Sequence, residues 1–186
     1  MIIKKEEIFN TSNLLSIIRL ILSFPLFILF EYWNQPGIRE VIIFLIIFAA
    51  ITDILDGYIA RKLNQITEFG KIIDPLADKV AMASVLVGII MNDLLPFYYI
   101  IIILFRDFLI LLGGIFIAKK TGFVLPSNLM GKTTVLVIGF VILLTVIGFS
   151  KNSLIFLLFY YLSIVMIFAS FILYLIRGIN FYKSKI

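Results

Sequence analysis

Four aspartates stand in two pairs within the stretch "DILDGYIARKLNQITEFGKIIDPLAD", residues 53–78. Asp53 and Asp56 are three apart, and Asp74 and Asp78 are four apart, so each pair shares one face of a helix. Near hydrocarbon, carboxylates are costly: a single Asp at the centre of a spanning helix costs about 2.5–3.5 kcal/mol on insertion scales. Their mutual repulsion adds to that cost. Divalent cations would relieve both. The chain has no His and no Cys, so imidazole, thiolate and the usual zinc or haem ligands are excluded, and hard oxygen ligands select Mg²⁺, Mn²⁺ or Ca²⁺. Carboxylates from two helices suit a pair of ions, and Mg²⁺ so bound is commonly completed by substrate phosphates.

Small and basic residues lie between the pairs. Gly57 and Ala60 lack bulk and would let an anionic group approach the backbone closely, and Arg61 suits phosphate oxygens. Taken singly, Gly57 and Ala60 are equally well explained by close helix packing.

These residues must be held by elements that belong in a membrane. Of 186 residues, 62% are hydrophobic and only 15% charged, too apolar for a water-soluble domain of this length. Six apolar runs of spanning length fall at about 13–33, 40–61, 76–92, 95–118, 132–149 and 153–177. They predict an all-α integral membrane protein, one domain over 1–186, without internal repeats. Residues 1–12, within "MIIKKEEIFNTSN", alternate apolar and charged side chains and predict an amphipathic helix lying in the interface, not a cleaved signal.

With the N-terminus inside, twelve basic residues (Lys4, Lys5, Arg61, Lys62, Lys71, Lys79, Lys119, Lys120, Lys132, Arg177, Lys183 and Lys185) fall on one side and only Arg39 and Lys151 on the other. That bias places both termini and the aspartates on the cytoplasmic side of the cell membrane. The net charge of +5 fits anionic lipid headgroups as the partner, with no nucleic acid expected.

Written as a pattern, the stretch is D-x2-D-G-x2-A-R-x8-G-x3-D-x3-D, satisfied by Asp53, Asp56, Gly57, Ala60, Arg61, Gly70, Asp74 and Asp78. It resembles the signature of the CDP-alcohol phosphotransferase family, membrane enzymes of phospholipid head-group synthesis. The resemblance extends to the six-helix plan and the interfacial helix. It implies displacement of CMP from a CDP-lipid by an alcohol, with divalent metal and a homodimeric assembly. Carried over by position, it implies that Asp53, Asp56, Asp74 and Asp78 hold two Mg²⁺ or Mn²⁺ ions and that Asp78 is also the general base. Asp56, Gly57, Ala60 and Arg61 would then seat the CDP moiety, and Gly70 would shape the turn.

Outside the signature, Asn13, Ser16 and Arg19 follow at successive threes on one helix face. They resemble the N-x2-T-x2-R opening of phosphatidylglycerophosphate synthases, with Ser16 for Thr. A buried cation such as Arg19 is a candidate for binding substrate phosphate or, equally, for an ion pair with an aspartate. Arg106 lies within the fourth run; it and Asp107 project about 100° apart and are not expected to pair. "GKTT" at 131–134 resembles the G-K-x-K-T segment of glycerophosphate-using members, without its second Lys. Lys132 and Arg106 could bind a phosphate on the acceptor. "GKTT" is no P-loop, since Ser127 stands near the register of the upstream Gly and no strand precedes it.

The resulting expectation is transfer of a phosphatidyl group from CDP-diacylglycerol to glycerol 3-phosphate, with inositol phosphate or another head group as the alternative acceptor. An intramembrane prenyltransferase also pairs aspartate clusters with Mg²⁺, but lacks the G-x2-A-R spacer. A cation transporter would need its carboxylates along a path and not at one membrane edge.

Overall fold

The computed structural model describes residues 10–62, 67, 69–122 and 128–185. These form six helices: α1 (Thr11–Glu31), α2 (Ile38–Lys62), α3 (Gly70–Met91), α4 (Phe97–Thr121), α5 (Leu129–Ile147) and α6 (Leu154–Lys185). No strand occurs among the described residues. The amphipathic helix expected over 1–12 lies outside them as far as position 9. Residues 10–12 instead begin α1, where the side chain of Asn10 accepts the backbone N–H of Asn13 at 2.8 Å as an N-cap.

The other boundaries follow local chemistry. α3 starts at Gly70, ahead of the predicted 76, so Asp74 is helical. Pro75 forgoes one backbone bond close to the helix start, where the loss is least disruptive. α4 and α5 stop at Gly122 and Gly148, whose φ of 73° and 82° is the left-handed conformation that glycine adopts without strain.

Contacts gather the helices into two units, Met1–Leu94 and Leu95–Ile186. In the first, α1 packs along both α2 and α3, while α2 and α3 barely touch each other. The first helix, α1, therefore stands between the two aspartate helices. A tight joint holds α1 to α3. The Phe30 ring is fully buried, stacks on Trp33 at 5.7 Å, and lies so close to Gly88 that a Cβ there would sit 2.1 Å from Cγ of the ring. The Asn92 amide donates to the carbonyls of Phe30 and Gly88, each at 2.9 Å, and so locks the same ends together.

In the second unit α6 packs against both α4 and α5. Its interior carries hydroxyls, and each finds a partner. Tyr99 and Ser163 share a hydrogen bond of 2.7 Å, and Thr134 donates to the carbonyl of Met130 at 2.7 Å. Left unpaired in an apolar interior, such groups would each cost several kcal/mol, on the order of 2–7.

Four helices are long and apolar enough to cross a membrane: Ser12–Glu31, Phe97–Thr121, Leu129–Ile147 and Leu154–Lys183. α2 and α3 are of similar length, 25 and 22 residues, but carry the aspartates. Large apolar side chains such as Phe24, Phe105, Leu136 and Leu154 are exposed on the helices, a surface suited to lipid.

Gly88→Ala should therefore lower the melting temperature in detergent, by the equivalent of about 1–3 kcal/mol of overpacking. An unchanged melting curve would show that the Phe30 ring is not held at that joint.

Candidate active site

α1 presents a buried polar row on an otherwise apolar helix: Ser12, Asn13, Ser16, Arg19 and Ser23 are each no more than 2% exposed. Their spacing of three and four residues keeps them on one side, and that side meets the aspartates.

The Arg19 guanidinium lies at the centre. Nη2 is 2.5 Å from Asp56 Oδ2, and Nη1 is 2.8 Å from Asp53 Oδ1 and 3.0 Å from Asp78 Oδ1. Ser16 completes the set, with its Oγ 2.5 Å from Asp74 Oδ1 and 3.1 Å from Asp56 Oδ2. A hydroxyl carries one proton and so donates to one of these carboxylates at a time; the shorter distance favours Asp74. Two side chains of α1 thus touch all four aspartates. The Asp56 side chain is almost wholly buried, whereas those of Asp53 and Asp78 are about half exposed, at 53% and 47%. The cluster has a closed floor and an open mouth.

Backbone and linker are tied in from the same row. Ser12 Oγ donates to the carbonyl of Asp56 at 3.0 Å, fixing α2 against α1. Asn13 Nδ2 donates to Thr67 Oγ1 at 3.0 Å, and Thr67 Oγ1 accepts the N–H of Gly70 at 3.0 Å. A Cβ at Gly70 would lie 2.6 Å from Asn13 Oδ1. Gly70 therefore opens α3 as a glycine because Asn13 occupies the space a side chain would need. Gly57 lies within α2 beside Asp56, and Ala60 and Arg61 fall in its last turn, their side chains outside the described residues.

The donor set is all oxygen, as a hard divalent ion requires. Among the described residues no group of three or more carboxylates is drawn tightly enough around one point to grip an ion as it stands. The space between them is taken by Arg19. The residue types fit divalent metal, and a cation already rests among them.

The second unit holds a cleft of about 850 Å³, lined by Arg106, Asn128, Gly131, Lys132, Ser170 and Tyr174 among apolar side chains. Arg106 is 8% exposed, with Nη1 donating to Asp107 Oδ1 at 2.7 Å and Nη2 to Ser170 Oγ at 3.0 Å. The expectation that Arg106 and Asp107 would not pair is thus corrected. The long Arg side chain reaches around the helix to its neighbour, which an angle between Cβ directions does not capture. Asn128 caps α5 by accepting the N–H of Gly131 at 2.6 Å, and a Cβ at Gly131 would lie 2.7 Å from that oxygen and 3.5 Å from Arg106 Nη2. Thr133 and Thr134 both donate to the carbonyl of Met130, at 3.0 and 2.7 Å, and add no cation beside Lys132.

Ser12, Thr67, Asn128, Ser170 and Tyr174 did not stand out in the sequence. For Ser12 a signal was present, a serine in register with Ser16, Arg19 and Ser23 in an apolar run. For Ser170 and Tyr174 none was, because only the packing of α6 brings them to Arg106.

A sequence model of CDP-alcohol phosphatidyltransferases matches residues 9–177. Curated relatives include three proteins named CDP-diacylglycerol--glycerol-3-phosphate 3-phosphatidyltransferase. The one from Rickettsia bellii is 35% identical over 175 residues, 94% of each chain. That from Aquifex aeolicus is 41% identical over 133 residues, 68% of this chain and 70% of the relative. That from Bacillus subtilis is 43% identical over 88 residues, 47% of this chain and 45% of the relative. With its aspartates gathered on one polar helix face and its length matched almost from end to end, the chain belongs to the CDP-alcohol phosphatidyltransferase family.

Proposed function

We propose that this enzyme transfers the phosphatidyl group of CDP-diacylglycerol to glycerol 3-phosphate, giving phosphatidylglycerophosphate and CMP. The observation that carries the reading is the convergence of all four signature aspartates on Ser16 and Arg19. The names of the relatives from three bacteria supply the acceptor.

In this reading Asp53, Asp56, Asp74 and Asp78 hold divalent metal, a pair of Mg²⁺ or Mn²⁺ ions. When bound, these would neutralise charge on the diphosphate and on the departing CMP. Asp78 takes the proton of the acceptor hydroxyl, a role its half-exposed position at the mouth supports. The acceptor oxygen bonds to the phosphorus that bears diacylglycerol, the bond from that phosphorus to CMP breaks, and CMP leaves as the anion. Gly57, Ala60 and Arg61 seat the cytidine diphosphate portion. Arg106 and Lys132 take the acceptor's phosphate in the cleft of the second unit, where a guanidinium and an ammonium offer several charge-assisted donors.

All six helices cross the cell membrane, including α2 and α3 once their aspartates are neutralised. The aspartates and both termini face the cytoplasm in this reading, which the twelve-to-two distribution of Lys and Arg supports. An inositol phosphate would satisfy Arg106 and Lys132 as well as glycerol 3-phosphate does, so the acceptor must be read directly.

Purified protein given CDP-diacylglycerol and Mg²⁺ should release CMP only when glycerol 3-phosphate is added; release with inositol phosphate instead would reassign the acceptor. EDTA should stop the release and Mn²⁺ or Mg²⁺ restore it. Asp78→Asn should still bind CDP-diacylglycerol but lose turnover by roughly 10²–10⁴-fold, and normal turnover would refute the base assignment. Lys132→Ala should raise KM for glycerol 3-phosphate about tenfold with kcat little changed; an effect on kcat alone would remove Lys132 from acceptor binding.

A further inference from the structure

Arg19 is a cation in the place where the proposed reaction needs divalent cations. It is 2% exposed, it contacts three of the four aspartates directly, and Ser16, one turn away on α1, contacts the fourth. Its Nε–H is buried with no hydrogen-bond partner among the described residues. The guanidinium is thus held by charge pairing with the carboxylates and by little else, for none of its described hydrogen bonds goes to backbone. A residue that served only to join helices would be better secured, as Asn92 is by two carbonyls.

We propose that Arg19 is the resident counter-cation of the carboxylate cleft and that divalent metal binds in competition with it for the same oxygens. Ser16 assists by keeping the Asp74 and Asp56 carboxylates turned toward the cleft. The inference rests on the reading that the aspartates hold metal, and it adds a positioning and charge-balancing residue outside the signature. Two consequences follow from electrostatics. With Arg19 in place, the four carboxylates can be gathered without metal, so the chain can fold and insert before an ion arrives. With Arg19 in place, the affinity for a bare divalent ion is also held down, because +1 and +2 charges must share one small volume. The negative charge of a CDP-lipid diphosphate would offset that repulsion, so metal and donor should bind cooperatively.

The test is Mn²⁺ binding to the full-length protein in detergent, read from the paramagnetic resonance signal of free Mn²⁺, with and without CDP. Wild type should bind Mn²⁺ weakly alone and more tightly with CDP. Arg19→Gln should bind Mn²⁺ alone more tightly than wild type, by on the order of tenfold, and should gain less from CDP, although turnover falls. Equal or weaker Mn²⁺ binding by Arg19→Gln would overturn the proposal and leave Arg19 a structural ion pair.

Should Arg19→Gln fail to fold, Arg19→Lys keeps the charge but cannot span three carboxylates. Its melting temperature should fall below wild type in EDTA and recover most of that loss with saturating Mn²⁺. The same loss in both conditions would overturn the proposal. Wild type that binds no Mn²⁺, with or without CDP, would refute the metal reading itself and this inference with it, a result distinct from wild type and variant binding it equally.

Discussion

The first unit is organised around the burial of opposite charges in an apolar chain. Four carboxylates at the edge of hydrocarbon repel one another and lose their hydration, and an arginine beside them loses its own. Together they are tolerable, because Arg19 gives buried Asp56 the charge partner that water cannot reach to provide, and shares its charge with the half-exposed Asp53 and Asp78. Asp53, Asp56 and Asp78 come from two helices that scarcely contact each other, and what brings them within 3.0 Å of one guanidinium is α1 between them. The arrangement of the three helices and the geometry of the cleft are therefore one problem with one solution.

That solution depends on side chains being small where helices meet. Gly88 admits the Phe30 ring, Gly70 admits the Asn13 amide, and Gly131 admits Asn128. Lipid gives no hydrophobic incentive for helices to associate, so close packing and interhelical hydrogen bonds must hold them together, and both need short side chains at the seam. Hydroxyls serve the same end. Ser23 and Thr145 return their protons to carbonyls of their own helices at 2.8 Å, and Ser12 gives its proton to the backbone of α2 at 3.0 Å. The charged residues are then surrounded by groups already satisfied, and few competing donors could draw the carboxylates away from Arg19.

The second unit solves a milder version of the same problem. Arg106 is nearly buried, yet it rests on a neighbouring carboxylate and one serine hydroxyl, beside an open cleft that also holds Lys132. Its Nε–H has no hydrogen-bond partner among the described residues. Arg106 and Lys132 are thus cationic donors in a cleft otherwise lined largely by apolar side chains such as Leu111, Ile115 and Leu136. The aspartate cleft, by contrast, is acidic and suits cations with a diphosphate.

Much of this was legible in the residues alone. Hydropathy runs placed every helix to within a few residues, except where α3 begins and where α6 ends, because spanning helices must satisfy their backbone internally and so announce themselves by length and apolarity. The spacing of Asp53, Asp56, Asp74 and Asp78 put each pair on one helix face, since periodicity places side chains on a face without any tertiary information. Two features were not legible. That α1 separates α2 from α3 depends on which faces pack, and periodicity cannot rank faces that are all apolar. That one guanidinium meets three of the aspartates while Ser16 meets the fourth, and that Arg106 reaches Asp107 and Ser170, depends on long side chains and distant helices meeting in space. Sequence alone determined which groups carry charge and along which helix faces they lie; tertiary structure alone decided which aspartates meet Arg19, because partners 34 to 59 positions apart are matched by packing and not by any local rule of the chain.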